Sequence, residues 1–214
     1  YDFTQSDYSR LGYVAEGVTT YMGDVMLWQS GVFSDEEYMN EMAVLLKRHK
    51  DNVGRFNLSL ADSAIDTWVD GYGRGTPRRR VSIYVEGALL AFVCDAWLLE
   101  ASKGEMSLST AMKRLYKEMD PAKGYTEDDY WSTLSGMADC DWEVLRSDVV
   151  DGKGHLEKYA KEALVKIGLK LEENSSADQL ENHFGFKLQK VGLKHIVWNV
   201  ASNSPSEISG LCFD

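Results

Sequence analysis

Apolar residues recur at helical spacing through most of the chain, and the pattern changes near its end. Leu11, Val14, Val18, Met22 and Val25 form one stripe, predicting a first helix over about residues 6–30 that stops at Gly31. "SDEE" follows, with Ser34 as N-cap and Glu37 three residues on. This capping box opens a second helix to about Lys50. "SLADSAIDTWVDGY" predicts a shorter helix, and "GYGRGTPRRR" breaks the pattern with Gly and Pro. "VSIYVEGALLAFVCDAWLLEAS" is apolar nearly all round, with only Glu86, Asp95 and Glu100 charged. A helix of that kind is buried on most sides, which predicts a central position. "SLSTAMKRLYKEM" predicts an amphipathic helix begun by Ser107. "YTEDDYWSTLSGMA" predicts one begun at Thr126, with acids in its first turn where the helix dipole favours them. "DWEVLRSDVV" and "LEKYAKEALVKIG" complete the helical part.

Beyond about Leu171 the pattern shifts. "ENSSADQLEN" reads as a polar loop. "FGFKLQKVG" and "KHIVWNV" alternate or cluster β-formers and read as strands, and "NSPSEISGL" supplies a turn and a short helix. The predicted organisation is a mainly α piece over residues 1–171 and a β-rich piece over residues 172–214, the latter too short for a complete β domain. The chain has no internal repeat and no low-complexity segment.

Composition narrows the function classes. With 44% hydrophobic and 27% charged residues, the 214-residue chain reads as a soluble globular protein. A net charge of −11 argues against a nucleic-acid partner, since phosphate binding needs clustered Lys and Arg. The basic run Arg78-Arg79-Arg80 reads as a solvated loop. "ALLAFVC" is too short to span a bilayer. Cys94, Cys140 and Cys212 are widely spaced, and no C-x-x-C occurs, so neither a zinc knuckle nor a disulfide framework is signalled. Cys94 reads as a buried small hydrophobe. The chain opens without an initiator Met or a signal-peptide pattern, and both ends read as cut. The compartment therefore stays open.

The four histidines, His49, His155, His183 and His195, lie in no nucleophile frame and form no H-E-x-x-H. His49, in "KRHK", reads as a solvated helix end, and His155 as loop surface. "GYGRGT" has no P-loop Lys. Paired acids such as "DEE" and "EDD" sit at helix starts and have a capping explanation. One feature stands apart. From Leu11 to Gly23, Glu16 is the only charged residue. It faces away from the apolar stripe, among Gly12, Tyr13, Thr19, Thr20 and Gly23. That surface is small, uncharged and hydroxyl-lined, as though something approaches it closely. Tyr84, at the start of the central helix, is the second unusual residue.

Several stretches, in order, resemble the glycyl aminopeptidase family of gluzincin metallopeptidases, relatives of aminopeptidase N and thermolysin. They are "YDFTQSDYSRLGYVAEGVTTYMGD", "GRFNLSLADSAIDTW", "SIYVEGALLAFVCDAWL", "GEMSLSTAMKRLYKEM", "GYTEDDYWSTLSGMA" and "YAKEALVKIGLKL". "VWNVASNSPSEISGLCFD" resembles the first half of a PDZ domain, which commonly follows the catalytic domain there. The resemblance implies the helical C-terminal subdomain of a thermolysin-like metallopeptidase, followed by a partial PDZ-like segment. It makes Glu16 the third zinc ligand, binding through oxygen at roughly 2.0–2.2 Å, with Gly12 and Gly23 letting the zinc-binding helix pack closely. Thr20 and Asp24 become residues that orient ligands, although Asp24 reads equally well as plain surface. Tyr84 matches the tyrosine that stabilises the oxyanion; its other reading is a core tyrosine with a satisfied hydroxyl. The family often has Lys where Glu86 stands and an aromatic where Met22 stands.

The resemblance also places an H-E-x-x-H helix before residue 1. With it would come two zinc ligands and the glutamate that activates water. The expectation is a piece of a zinc aminopeptidase that removes N-terminal Gly or Ala from peptides. This chain alone would be inactive and bind no zinc tightly. Strand edges of a half PDZ are expected to pair with a neighbouring chain. The alternative is a non-catalytic peptide-binding or scaffold module, for which Glu86 in place of Lys is a mild argument.

Overall fold

Capping side chains mark most helix starts in the computed structural model, which describes residues 8–71, 79–120 and 122–212. Ser34 accepts from the Glu37 N–H at 3.2 Å and donates its own N–H to the Glu37 carboxylate at 2.8 Å, completing the capping box of α2 (Asp35–Asp51). The Ser34 N–H also holds the Glu37 carboxyl below its ordinary pKa. Ser107 and Thr126 open α5 (Leu108–Glu118) and α6 (Glu127–Ser135) in the same manner. Each such cap contributes about 1 kcal/mol.

α1 (Gly12–Gln29) starts later than the spacing predicts and ends as expected before Gly31, whose φ is +77°. No side chain caps its start. Just before it, Arg10 reaches Glu127 at 3.2 Å and also pairs with Asp151. α3 (Leu60–Asp66) continues as a wider π turn over Thr67–Gly71. Much of "GYGRGTPRRR" lies outside the described residues. Arg79, in its last part, pairs with Asp66.

α4 (Ile83–Ala101) is the central helix, buried continuously from Glu86 to Leu98. It packs against α1, α2, α3, α5 and α8 (Leu156–Lys166). Between α6 and α8 come the short α7 (Trp142–Leu145) and a π turn over Arg146–Asp151. The charges within α4 are held internally. Asp95 accepts from the Tyr21 hydroxyl at 2.6 Å and from the Leu108 N–H at 2.6 Å. This satisfies a buried carboxylate and ties α1, α4 and α5 together, as a buried charge requires.

The chain divides into two compact units, Tyr1–Lys170 and Leu171–Asp214. The second contains α9 (Gln179–Phe184), β1 (Phe186–Val191), β2 (Lys194–Val200) and α10 (Pro205–Ile208). The strands pair antiparallel, with a bulge between Lys187 and Leu188. The loop expected across "ENSSADQLEN" holds for residues 173–178 and is corrected at its end, where α9 begins at Gln179. Asp178 accepts from the N–H groups of Leu180 and Glu181, and Gly185 at φ +78° closes the helix. Gln179–Phe184 is helical because both end signals are present. No helix among the described residues is long and apolar enough to cross a membrane.

Candidate functional site

α1 buries Tyr13, Val14, Gly17, Val18, Tyr21 and Val25. That face is turned from the predicted stripe toward Tyr13 and Tyr21, leaving Leu11 and Met22 only half-buried. The reason lies in the tyrosine hydroxyls. Tyr13 donates to Glu127 at 2.8 Å and accepts from the Trp131 indole at 2.9 Å, while Tyr21 donates to Asp95. Tyr13 was expected on the glutamate's open side, yet it is 1% exposed and belongs to the core. Burial first, and then the Glu127 charge, push its phenol pKa well up.

Between the two tyrosines, Gly17 meets Gly87 of α4. A Cβ on Gly17 would stand 2.4 Å from the Gly87 backbone, and one on Gly87 2.8 Å from Gly17 Cα. Only two glycines let the helices cross this closely. In sequence, Glu16 is adjacent to Gly17 on α1, and Tyr84 stands one turn before Gly87 on α4. Both residues are half-buried. Among the described residues the Glu16 carboxylate makes no hydrogen bond or ion pair. Gly12 and Gly23, expected to admit a further helix, differ from each other. Gly12 is packed against Ile83 and Ala64, whereas the space around Gly23 is open.

Thr20 donates its hydroxyl to the backbone carbonyl of Glu16 at 2.7 Å. It braces the helix at that residue and directs its proton away from the carboxylate. Asp24 lies two helical turns beyond Glu16, about 12 Å along the axis. It is half-buried, and desolvation, then the Glu41 charge, raises its carboxyl pKa. Thus Thr20 is tied to Glu16 through the helix backbone, whereas Asp24 feels Glu41 of α2.

Among the described residues no cluster of three or more His, Cys, Asp or Glu could hold a metal ion. A zinc ion beside Glu16 would need ligands in addition to that carboxylate.

The reading of His49 as a solvated helix end is overturned: it is 1% exposed. Its Nδ1 lies 2.7 Å from Glu86 Oε2, inside the core. The signal was in the spacing, because His49 continues the stripe of Tyr38, Met42, Leu45 and Leu46 on α2. Charged neighbours on both sides obscured it. His155 is exposed, as its loop context suggests, and Cys94 is fully buried.

Residues 1–90 match the family model of the M61 glycyl aminopeptidases. The crystal structure of an aminopeptidase N family protein from Idiomarina loihiensis superposes on this chain with a TM-score of 0.85 at 23% identity. The match covers 99% of this chain and 38% of that one, so the chain spans well under half the length of its structural relative. No match is found among curated proteins. The likeness read from the helical part of the sequence is thus borne out: residues 1–90 match the glycyl aminopeptidases, and the chain has the fold of the corresponding part of an aminopeptidase N family protein.

Proposed function

We propose that this chain is the helical part of the catalytic domain of a zinc-dependent aminopeptidase that removes N-terminal Gly or Ala from peptides. The observation that carries the reading is the Gly17–Gly87 crossing. It sets the backbone beside Glu16, whose carboxylate has no partner among the described residues, against the helix that carries Tyr84. Glu16 would be the carboxylate ligand to zinc. When bound, zinc polarises the scissile carbonyl and activates water. Tyr84 would donate a hydrogen bond to the oxygen on which negative charge develops. Thr20 steadies the helix backbone under Glu16. Asp24 would orient the ligand set from farther along α1.

No H-E-x-x-H occurs in these 214 residues. The two imidazoles and the general base would come from residues outside this sequence, and the chain by itself hydrolyses nothing. The Leu171–Asp214 unit would be the opening of a PDZ-like domain whose strand edges pair with further strands or a second chain.

The rival reading, a non-catalytic peptide-binding or scaffold module, drew on Glu86 standing where Lys is usual. That carboxylate is bonded to His49 in the core, so its charge has a structural use. The test is the protein that contains this sequence, purified with its natural N-terminal extension. Zinc content and hydrolysis of glycyl and alanyl anilides are measured for wild type and Glu16→Gln. Zinc near one per chain and turnover, both lost in E16Q, support the peptidase. Zinc-free, inactive wild-type protein would leave the scaffold module standing.

A further inference from the structure

Among the described residues, four buried side-chain polar atoms of the helical unit have no hydrogen-bond partner: Trp97 Nε1, His49 Nε2, Glu86 Oε1 and Arg55 Nε. The last three, unlike the first, belong to residues that line one cavity, walled on its apolar side by Leu58, Val81 and Val149, with exposed His155 among its lining. The centre of a water-sized sphere can range over about 20 Å³ there. One water needs about 10–15 Å³.

The chemistry of the three atoms selects the occupant. A carboxylate oxygen only accepts, so His49 Nδ1, 2.7 Å from Glu86 Oε2, carries the proton of that bond. In the neutral ring Nε2 is then an acceptor. Glu86 Oε1 is a second acceptor, and Arg55 Nε–H is a donor. A cation in the cavity would face Arg55, and an anion would face Glu86. A molecule with two O–H donors and one acceptor lone pair matches all three, and one water has that complement. Buried waters typically make about three hydrogen bonds to groups of this kind.

Arg55 gives the site a rigid wall. Its Nη1 donates to the carbonyls of Lys50 at 2.7 Å and Asn52 at 3.0 Å, and also bonds the His49 carbonyl. The guanidinium thus closes the C-terminal end of α2, with its Nε buried and unpartnered among the described residues. Burial lowers the Arg55 pKa, with the charges of Glu86 and Glu157 opposing the shift.

We propose that this cavity is a built site for one ordered water that bridges His49, Glu86 and Arg55. It joins the end of α2, the tight turn at Val53–Phe56 and the first turn of α4. Tyr84 lies in that same first turn, two residues before Glu86, so the water helps to fix the segment that presents the phenol. The site stands on these contacts whether or not the chain belongs to a peptidase.

The experiment is water-selective NMR on the 214-residue chain labelled with ¹⁵N-arginine. A cross-peak from the water resonance to Arg55 Hε, with the sign of a bound water, is expected in wild type. Val149→Ile adds a methyl group that fills the cavity. The cross-peak is expected to vanish in this variant and the urea midpoint to fall, because three polar groups lose their partner. A wild-type chain with an observable Arg55 Hε and no cross-peak overturns the proposal. If V149I fails to fold, the wild-type spectrum alone decides.

Discussion

A Cβ on Gly17 would lie 2.4 Å from the Gly87 backbone, closer than any side chain can stand. Gly17→Ala therefore forces α1 and α4 apart at their crossing. The cost of such overpacking is about 2 kcal/mol or more, and it exceeds the roughly 1 kcal/mol gained from better helix propensity. Gly23, on the same helix, has nothing within 4 Å of the added carbon. Gly23→Ala is expected to stabilise the chain by about 0.5–1 kcal/mol. Urea unfolding of the two variants, shifted in opposite directions, checks this. Destabilisation by both would mean that the open side of α1 is covered.

The His49–Glu86 pair predicts a non-additive result. His49→Phe leaves the Glu86 carboxylate buried without its partner, and is expected to cost about 3–5 kcal/mol. The double variant H49F/E86L removes both polar groups and should recover most of that loss. A double-mutant cycle on unfolding free energies measures the coupling. Simple additivity would show that the contact contributes little.

Asp24 gives the chain a sloped response to acid. Desolvation and Glu41 raise its folded-state pKa above the unfolded value. Its protonated form is therefore favoured in the folded state. The contribution to stability is full below the unfolded pKa and is lost as pH rises through the folded one. Asp24→Asn removes that loss. At neutral pH it is expected to stabilise the chain slightly, by about 0.5 kcal/mol or less after solvent screening. Relative to wild type, the urea midpoint of Asp24→Asn should therefore rise at neutral pH and change less at acid pH.

The three thiols should react in order of access. Cys212 is exposed, Cys140 half-buried and Cys94 fully buried. Burial also pushes the Cys94 thiol up to about 12, so little thiolate forms at neutral pH. Labelling by a small alkylating agent, followed by mass spectrometry, should modify Cys212 first. Cys94 should be modified only as the chain unfolds. Fast labelling of Cys94 would contradict the packing around α4.

In the protein carrying the remainder of the proposed site, Tyr84→Phe removes one donor and keeps the ring. If the phenol meets the developing oxyanion, kcat falls about 10²–10³-fold and KM changes little. An unchanged kcat would return Tyr84 to the reading of a core tyrosine.

Local physics made much of this legible beforehand. Ser34, Ser107 and Thr126 cap the helices they were expected to cap, because a cap acts within four residues. The central helix could be placed because few charges interrupt "YVEGALLAFVCDAWLLE". Glu16 stood out because an uncharged helical face around one carboxylate is unusual, and its role rested on resemblance from the start. Tertiary structure decided the rest. Gly17 and Gly87 are brought into contact from opposite ends of a long stretch of chain, and the His49–Glu86 contact spans 37 residues. Periodicity orients a helix against an unspecified neighbour; it does not say which neighbour, or how close. Hence it set α1 on its Val14 stripe, while Glu127 and Asp95, far along the chain, turned the helix onto Tyr13 and Tyr21. For the same reason His49 looked solvated until the packed core supplied Glu86 as its partner.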